Sequence, residues 1–183
     1  MECSMKLLLA VVMSLFSVCV MADNARGFYV GVGMAEFMYD DEVIDVGNAR
    51  TAEILGGYKH NAALGLEIRY GTGVSEANSE DDDSLEREID SYYAVYYKPE
   101  LINDEAKLYL LLGYMDVDAS ETLFAQDGSE VSQLDISESG ASYGIGIGFI
   151  LNQRFNFNIE YRTLPEQNDV ETEIVSANFD YRF

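Results

Sequence analysis

Cysteine is nearly missing from this chain: Cys3 and Cys19 are the only two, and both lie within the first 22 residues. Residues 23–183 therefore cannot be held by a disulfide, and they offer neither a thiol nucleophile nor a cysteine metal site. Histidine occurs once, at His60, which leaves no His cluster for a metal. Tryptophan is absent, and Pro99 and Pro165 are the only prolines; neither interrupts a strand pattern. Basic residues are scarce, with 11 Lys and Arg against 33 Asp and Glu, for a net charge of −22. Such a balance excludes nucleic acid as a partner bound through charge. Long apolar runs are scarce too. The single one, residues 7–22, is shorter than the about 20 residues a membrane helix needs.

That run follows Lys6, and Val20 and Ala22 stand at the minus-three and minus-one positions of a cleavage site before Asp23. This is the pattern of a secretory signal peptide, 1–22, with one domain following over 23–183. Met5 makes a better signal start than Met1. Removing the segment takes away Glu2 and Lys6, so the net charge stays at −22.

What is abundant is two-residue alternation. Reading back from the end, Phe183, Tyr181, Phe179, Ala177 and Val175 interleave with Arg182, Asp180, Asn178 and Ser176. One face is apolar and aromatic, the other polar, which is a strand. Similar runs are expected at 27–38, 51–59, 62–72, 89–98, 106–115, 139–151, 155–164 and 170–183. Ten residues at a tilt near 45° rise roughly 23 Å, close to the apolar band of an outer-membrane barrel. His60-Asn61 and Asn152-Gln153 read as tight turns and 99–105 as a moderate one. Between them fall longer connections at 40–50, 73–88 and 116–138, and a short one at 165–169. These four hold twenty of the acidic residues. Helical periodicity is absent after residue 22. The expected fold is all-β: an eight-stranded antiparallel up-and-down transmembrane β-barrel behind a signal peptide, its short turns periplasmic and its long loops external.

The signal, the opening GFYVGVGM, the strands LGLEIRYG and KLYLLLGY, and the terminal FDYRF together resemble the OmpA-type and OmpX-type small outer-membrane barrels. The resemblance covers residues 23–183. It implies a monomeric protein of the Gram-negative cell outer membrane with both termini in the periplasm. It also implies that Phe183, Tyr181 and Phe179 form the signal read by the barrel assembly machinery, and that membrane lipid and lipopolysaccharide surround the barrel.

On the second face of the strands lie Glu67, Arg69, Glu160, Arg162, Asp180 and Arg182, joined by Glu53 and Lys59. An eight-stranded barrel has room only for side chains, so these read as a salt-bridged plug, with a gated ion path as the rival reading. Gly144, Gly146 and Gly148 leave space beside them for an Arg or Tyr. Glu80, Asp81, Asp82 and Asp83 crowd one external loop, where weak Ca²⁺ or Mg²⁺ binding competes with plain solvation. No cofactor is implied. Small barrel acylases use Ser or His at the external rim, whereas His60 is expected in a periplasmic turn, so the expectation is no enzyme. The alternative is a soluble lipocalin-like periplasmic carrier of a small apolar ligand, which would be apolar inside rather than outside.

Overall fold

The computed structural model describes residues 26–40, 48–75, 77–78, 85–124, 130–152, 154–167 and 170–183. The expected signal peptide lies outside them. Ten strands follow in order: β1 (Gly27–Asp40), β2 (Ala49–Asn61), β3 (Leu64–Ser75), β4 (Ala77–Asn78), β5 (Leu85–Tyr97), β6 (Glu100–Ile102), β7 (Ala106–Phe124), β8 (Glu130–Ile150), β9 (Phe155–Gln167) and β10 (Val170–Arg182). Eight of them close an antiparallel barrel. Each pairs with the next, and β1 returns to β10, with Val32 opposite Phe179 and Gly33 opposite Asn178. The short β4 pairs only with β5, and β6 pairs with β7. Closure removes every free edge within the barrel wall, which a bilayer requires because it offers no hydrogen bonds to bare backbone.

Burial alternates strictly where the sequence alternates. Along β3, Leu66, Ile68 and Tyr70 are exposed while Gly65, Glu67, Arg69 and Gly71 are buried. The apolar face thus points out and the polar face in, the opposite of a ligand carrier, and this overturns the carrier alternative. Tyr70, Tyr93, Tyr114, Tyr143 and Tyr161 make an outward girdle at one end. Phe28, Tyr58, Tyr97, Phe149 and Phe155 make a second at the other. Rings touch within and below these belts: Phe28–Tyr58 at 4.6 Å, Tyr70–Tyr93 at 4.9 Å and Phe157–Phe179 at 4.9 Å between centroids. Such belts mark the two interfaces of a bilayer.

Three details differ from the sequence expectation. Residues 116–138 are mostly not loop: β7 and β8 stay paired from Ala106–Phe149 up to Phe124–Glu130, far past the Tyr114 belt. Only 125–129 of that stretch fall outside the described residues. Past Tyr114 this hairpin runs on for roughly 30 Å of strand. It needs no apolar outer face there, so its alternation was weak. Second, the tight turn after β2 is Ala62–Ala63, with His60 and Asn61 ending the strand. Asn61 Oδ1 caps this turn by accepting from the Ala63 and Leu64 amides, at 2.9 and 2.8 Å. Third, Pro99 does break a strand. With no N–H to give to a ladder, Pro99 and Lys98 separate β5 from β6.

Candidate functional site: the layered lumen

Inward side chains fill the barrel in two layers. The layer nearer the short turns is ionic. Arg69 on β3 is its hub. Its Nη1 and Nη2 donate to the two carboxylate oxygens of Glu160 on β9 at 2.6 and 2.9 Å. Its Nε donates to Glu67 at 2.7 Å, and Nη1 also reaches Glu53 on β2 at 3.2 Å. Arg162 Nη2 donates to the other oxygen of Glu53 at 2.9 Å. Three carboxylates thus meet one guanidinium whose planar fork matches their geometry.

Tyrosine hydroxyls complete the shell. Tyr29 donates to Glu67 at 2.7 Å, Tyr109 to Glu160 at 2.6 Å, and Tyr92 to Glu53. Lys98 Nζ donates to Glu67 at 2.8 Å and stands 4.1 Å from the Tyr109 ring centroid. Nearer the turns, Lys107 donates to Asp180 at 2.9 Å, and Asn156 and Asn158 donate to the same carboxylate at 2.7 and 2.8 Å. Arg182 Nε lies 3.4 Å from Asp180, and Lys59 pairs with Glu100.

All eight lumen residues singled out from sequence lie here, each buried. Sequence reasoning missed Lys98, Glu100 and Lys107, which are equally buried. The lumen therefore holds six cations and five anions among the described residues, nearly neutral inside a chain of charge −22. Six of the ten basic residues after position 22 are spent here, so the outer surface is more acidic than composition alone suggests. An uncompensated buried charge costs several kcal/mol, and near-complete pairing is the physical condition for such a plug to exist.

The β8 glycines make room for it. A Cβ at Gly144 would stand 2.8 Å from Arg162 Cγ, and one at Gly146 would enter the Tyr109 ring. At Gly148 it would meet Lys107 and Asn158.

The layer nearer the long loops is apolar: Phe37, Ala49, Ile89, Val117, Ala119 and Ile174 are buried in one cluster, with Leu164 against it. Phe37 rests on Tyr92 with centroids 5.5 Å apart, and Tyr92 connects the two layers. Sequence reasoning had no account of this layer.

Of the other residues singled out, Phe179 points outward and Tyr181 and Phe183 are half-buried, their rings 5.3 Å apart. Glu80, Asp81, Asp82 and Asp83 lie outside the described residues. No group of three His, Cys, Asp or Glu is arranged for a metal ion among the described residues. At the loop end of the outer face, Arg50 lies 3.6 Å from Glu36. His60 sits at the opposite end, on the exposed end of β2.

Residues 8–183 match the family described as outer membrane protein beta-barrel domain. No curated protein matches the chain. Among solved structures, the attachment invasion locus protein Ail of Yersinia pestis is similar at 22% identity and a TM-score of 0.63, covering 86% of this chain and 99% of that one. Ail is also known in complex with the heparin analogue sucrose octasulfate. Neisserial surface protein A matches at 17% identity and a TM-score of 0.60, covering 88% and 100%. OprG of Pseudomonas aeruginosa matches at 13% identity and 0.55, covering 90% and 99%. At these identities the likeness is one of fold.

Proposed function

From the premise that this chain belongs to the outer membrane protein beta-barrel domain family, we propose that it is a non-enzymatic surface-interaction barrel of the outer membrane that meets basic partners at its external end. The observation that carries this reading is the paired β7–β8 hairpin, which continues past the tyrosine belt and leaves the membrane as an ordered platform. β8 pairs with β9 only from Tyr143 to Ile150. Above Tyr143 it therefore has no β9 partner among the described residues, and Val131 and Leu134 are exposed there. A strand edge with unused N–H and C=O groups accepts another extended segment.

The charge of the platform selects the partner. Asp116, Asp118 and Asp135 lie on its strands and Asp90 on the adjoining β5, while most of the chain's cations are locked in the lumen. The heparin analogue bound by Ail is a polyanion; the external end of this chain would repel one and attract cations instead. Lipopolysaccharide is then a neighbour held through bridging Ca²⁺ or Mg²⁺ at Glu80, Asp81, Asp82 and Asp83. Both termini lie in the periplasm, Phe183 closes the assembly signal, and the barrel works as a monomer.

Cells displaying the barrel should adhere to a polylysine-coated surface more than cells without it, and not to immobilised heparin. Shortening the hairpin by replacing residues 117–136 with a two-residue turn should abolish the gain. Equal adhesion with and without the barrel, or preferential adhesion to heparin, would rule this function out.

A further inference from the structure

The two lumen layers differ in how they treat water. In the ionic layer, Asn158 Oδ1, Asn178 Nδ2 and Arg162 Nη1 are buried with no hydrogen-bond partner in the protein. All three project from β9 and β10, on the wall next to the β8 glycines. Buried polar atoms rarely go unsatisfied, and ordered water is their remaining partner. This layer is chemically suited to water, its ions already carrying counter-charges and hydrogen-bonding neighbours.

The layer above it is the opposite. Phe37, Ile89, Val117 and Ile174 come from four different strands, β1, β5, β7 and β10, and converge across the lumen. Phe37, Ile89 and Val117 border a cavity of about 30 Å³ together with Ala119, Ile136 and Leu164. Only Thr172 and Glu138 bring polar groups to its lining. A water needs two to four polar partners to stay in such a space. An ion entering here would leave its hydration shell and gain nothing in exchange, the condition under which an apolar constriction closes a pore by dewetting.

We propose that the ion seal of this barrel is the apolar layer of Phe37, Ile89, Val117 and Ile174, rather than the salt-bridged cluster beneath it, so that the protein is a small-ion pore held shut at its external end. The ion pairs then position side chains and line the lumen below. The geometry supports this division because the cluster contains charges and hydrogen-bonding groups at every level from Arg162 down to Lys59, while Phe37, Ile89, Val117 and Ile174 bring none to the layer above. Ser176 marks the boundary: it lies on β10 just below Ile174, and its Oγ is 3.1 Å from Glu160.

The seal is tested by current and by chemical access. In planar bilayers, Phe37→Ser combined with Ile174→Ser should raise conductance roughly tenfold or more over the wild-type barrel, because two hydroxyls let the constriction wet. Lys107→Gln, in the ionic layer, should leave conductance at the wild-type level. Each variant is first shown to be folded by its heat-dependent shift in gel migration. A folded double-serine variant as tight as wild type would overturn the proposal, as would Lys107→Gln opening the barrel equally. The second measurement leaves the seal intact. Because residues 23–183 contain no cysteine, Ser176→Cys and Glu138→Cys each give a single thiol after signal removal. On intact cells a membrane-impermeant thiol reagent should label Glu138→Cys and spare Ser176→Cys. Adding Phe37→Ser should make Ser176→Cys reactive. Labelling of Ser176→Cys behind an unmodified apolar layer would place the seal elsewhere.

Discussion

Tyr109 on β7 lies across Gly146 on β8, its register partner, so closely that a side chain on Gly146 would occupy the tyrosine ring. The same ring receives Lys98 on its face and donates its hydroxyl to Glu160. One missing Cβ thus permits two interactions of the ionic layer. Gly146→Val should destabilise the barrel by ~1–3 kcal/mol through overpacking. Tyr109→Ala in the same chain should recover part of that loss. Urea unfolding of the four variants of this cycle, in detergent, measures the coupling. Additive losses would show that the ring does not need the glycine.

Removing the hub is expected to cost more than removing any spoke. Arg69→Met leaves Glu53, Glu67 and Glu160 facing one another without their shared cation. The expected loss is ~3–5 kcal/mol, the usual result of breaking a buried ionic group on one side. Tyr29→Phe removes a single hydrogen bond to Glu67 and should cost about 1 kcal/mol. The two losses are compared by the same unfolding assay, and the reverse ranking would mean that Arg69 is not the centre of the network.

The lipid face sets a depth-dependent cost. Phe179 projects outward on β10 between the two belts, whereas Leu101 is exposed on β6 beyond the turn-side belt. Phe179→Arg should cost ~2–4 kcal/mol and Leu101→Arg ~0–1 kcal/mol, following the position of each in the bilayer. Reversible folding into lipid vesicles gives both numbers. Equal costs would mean that the two belts do not bound the membrane where the aromatic rings place them.

Protease on intact cells reads topology. An acid-specific enzyme should cut within Glu80–Asp83 and leave Glu121 and Glu138 intact, because those two lie in paired strands. Millimolar Ca²⁺ should slow the cut if the carboxylates gather a cation, since like charges within a Debye length of ~8–10 Å otherwise repel. Cleavage of intact cells at the Ala62–Ala63 turn would invert the orientation.

Deleting Phe183 should reduce the amount of assembled barrel while the assembled fraction keeps its unfolding midpoint. The Phe183 N–H donates to the Phe28 carbonyl at 3.1 Å, and its ring meets that of Tyr181. A role in recognition rather than in stability predicts that pattern. Unchanged yield at normal expression would remove it.

The alternation of β3, β9 and β10 sorted their residues into two faces, and the closed barrel then assigned the apolar face to the outside and the polar face to the lumen. The reason is local: side chains alternate along a strand, and a bilayer outside with a crowded lumen inside enforces opposite polarity on the two faces. The number of barrel strands and the inward set from Glu53 to Arg182 follow from that rule. Lys98, Glu100 and Lys107 escaped it because their inward neighbours Tyr96, Tyr109 and Leu111 are themselves aromatic or apolar, so the runs around them do not alternate. The β7–β8 extension escaped it as well: in water neither face must be apolar, and a polar paired hairpin resembles a loop. Only the tertiary structure brought Arg69 to Glu160, 91 positions apart, and gathered Phe37, Ile89, Val117 and Ile174 from four strands into one layer. Those contacts run across the lumen, where distance depends on barrel closure and strand stagger, and no local pattern in the chain records them.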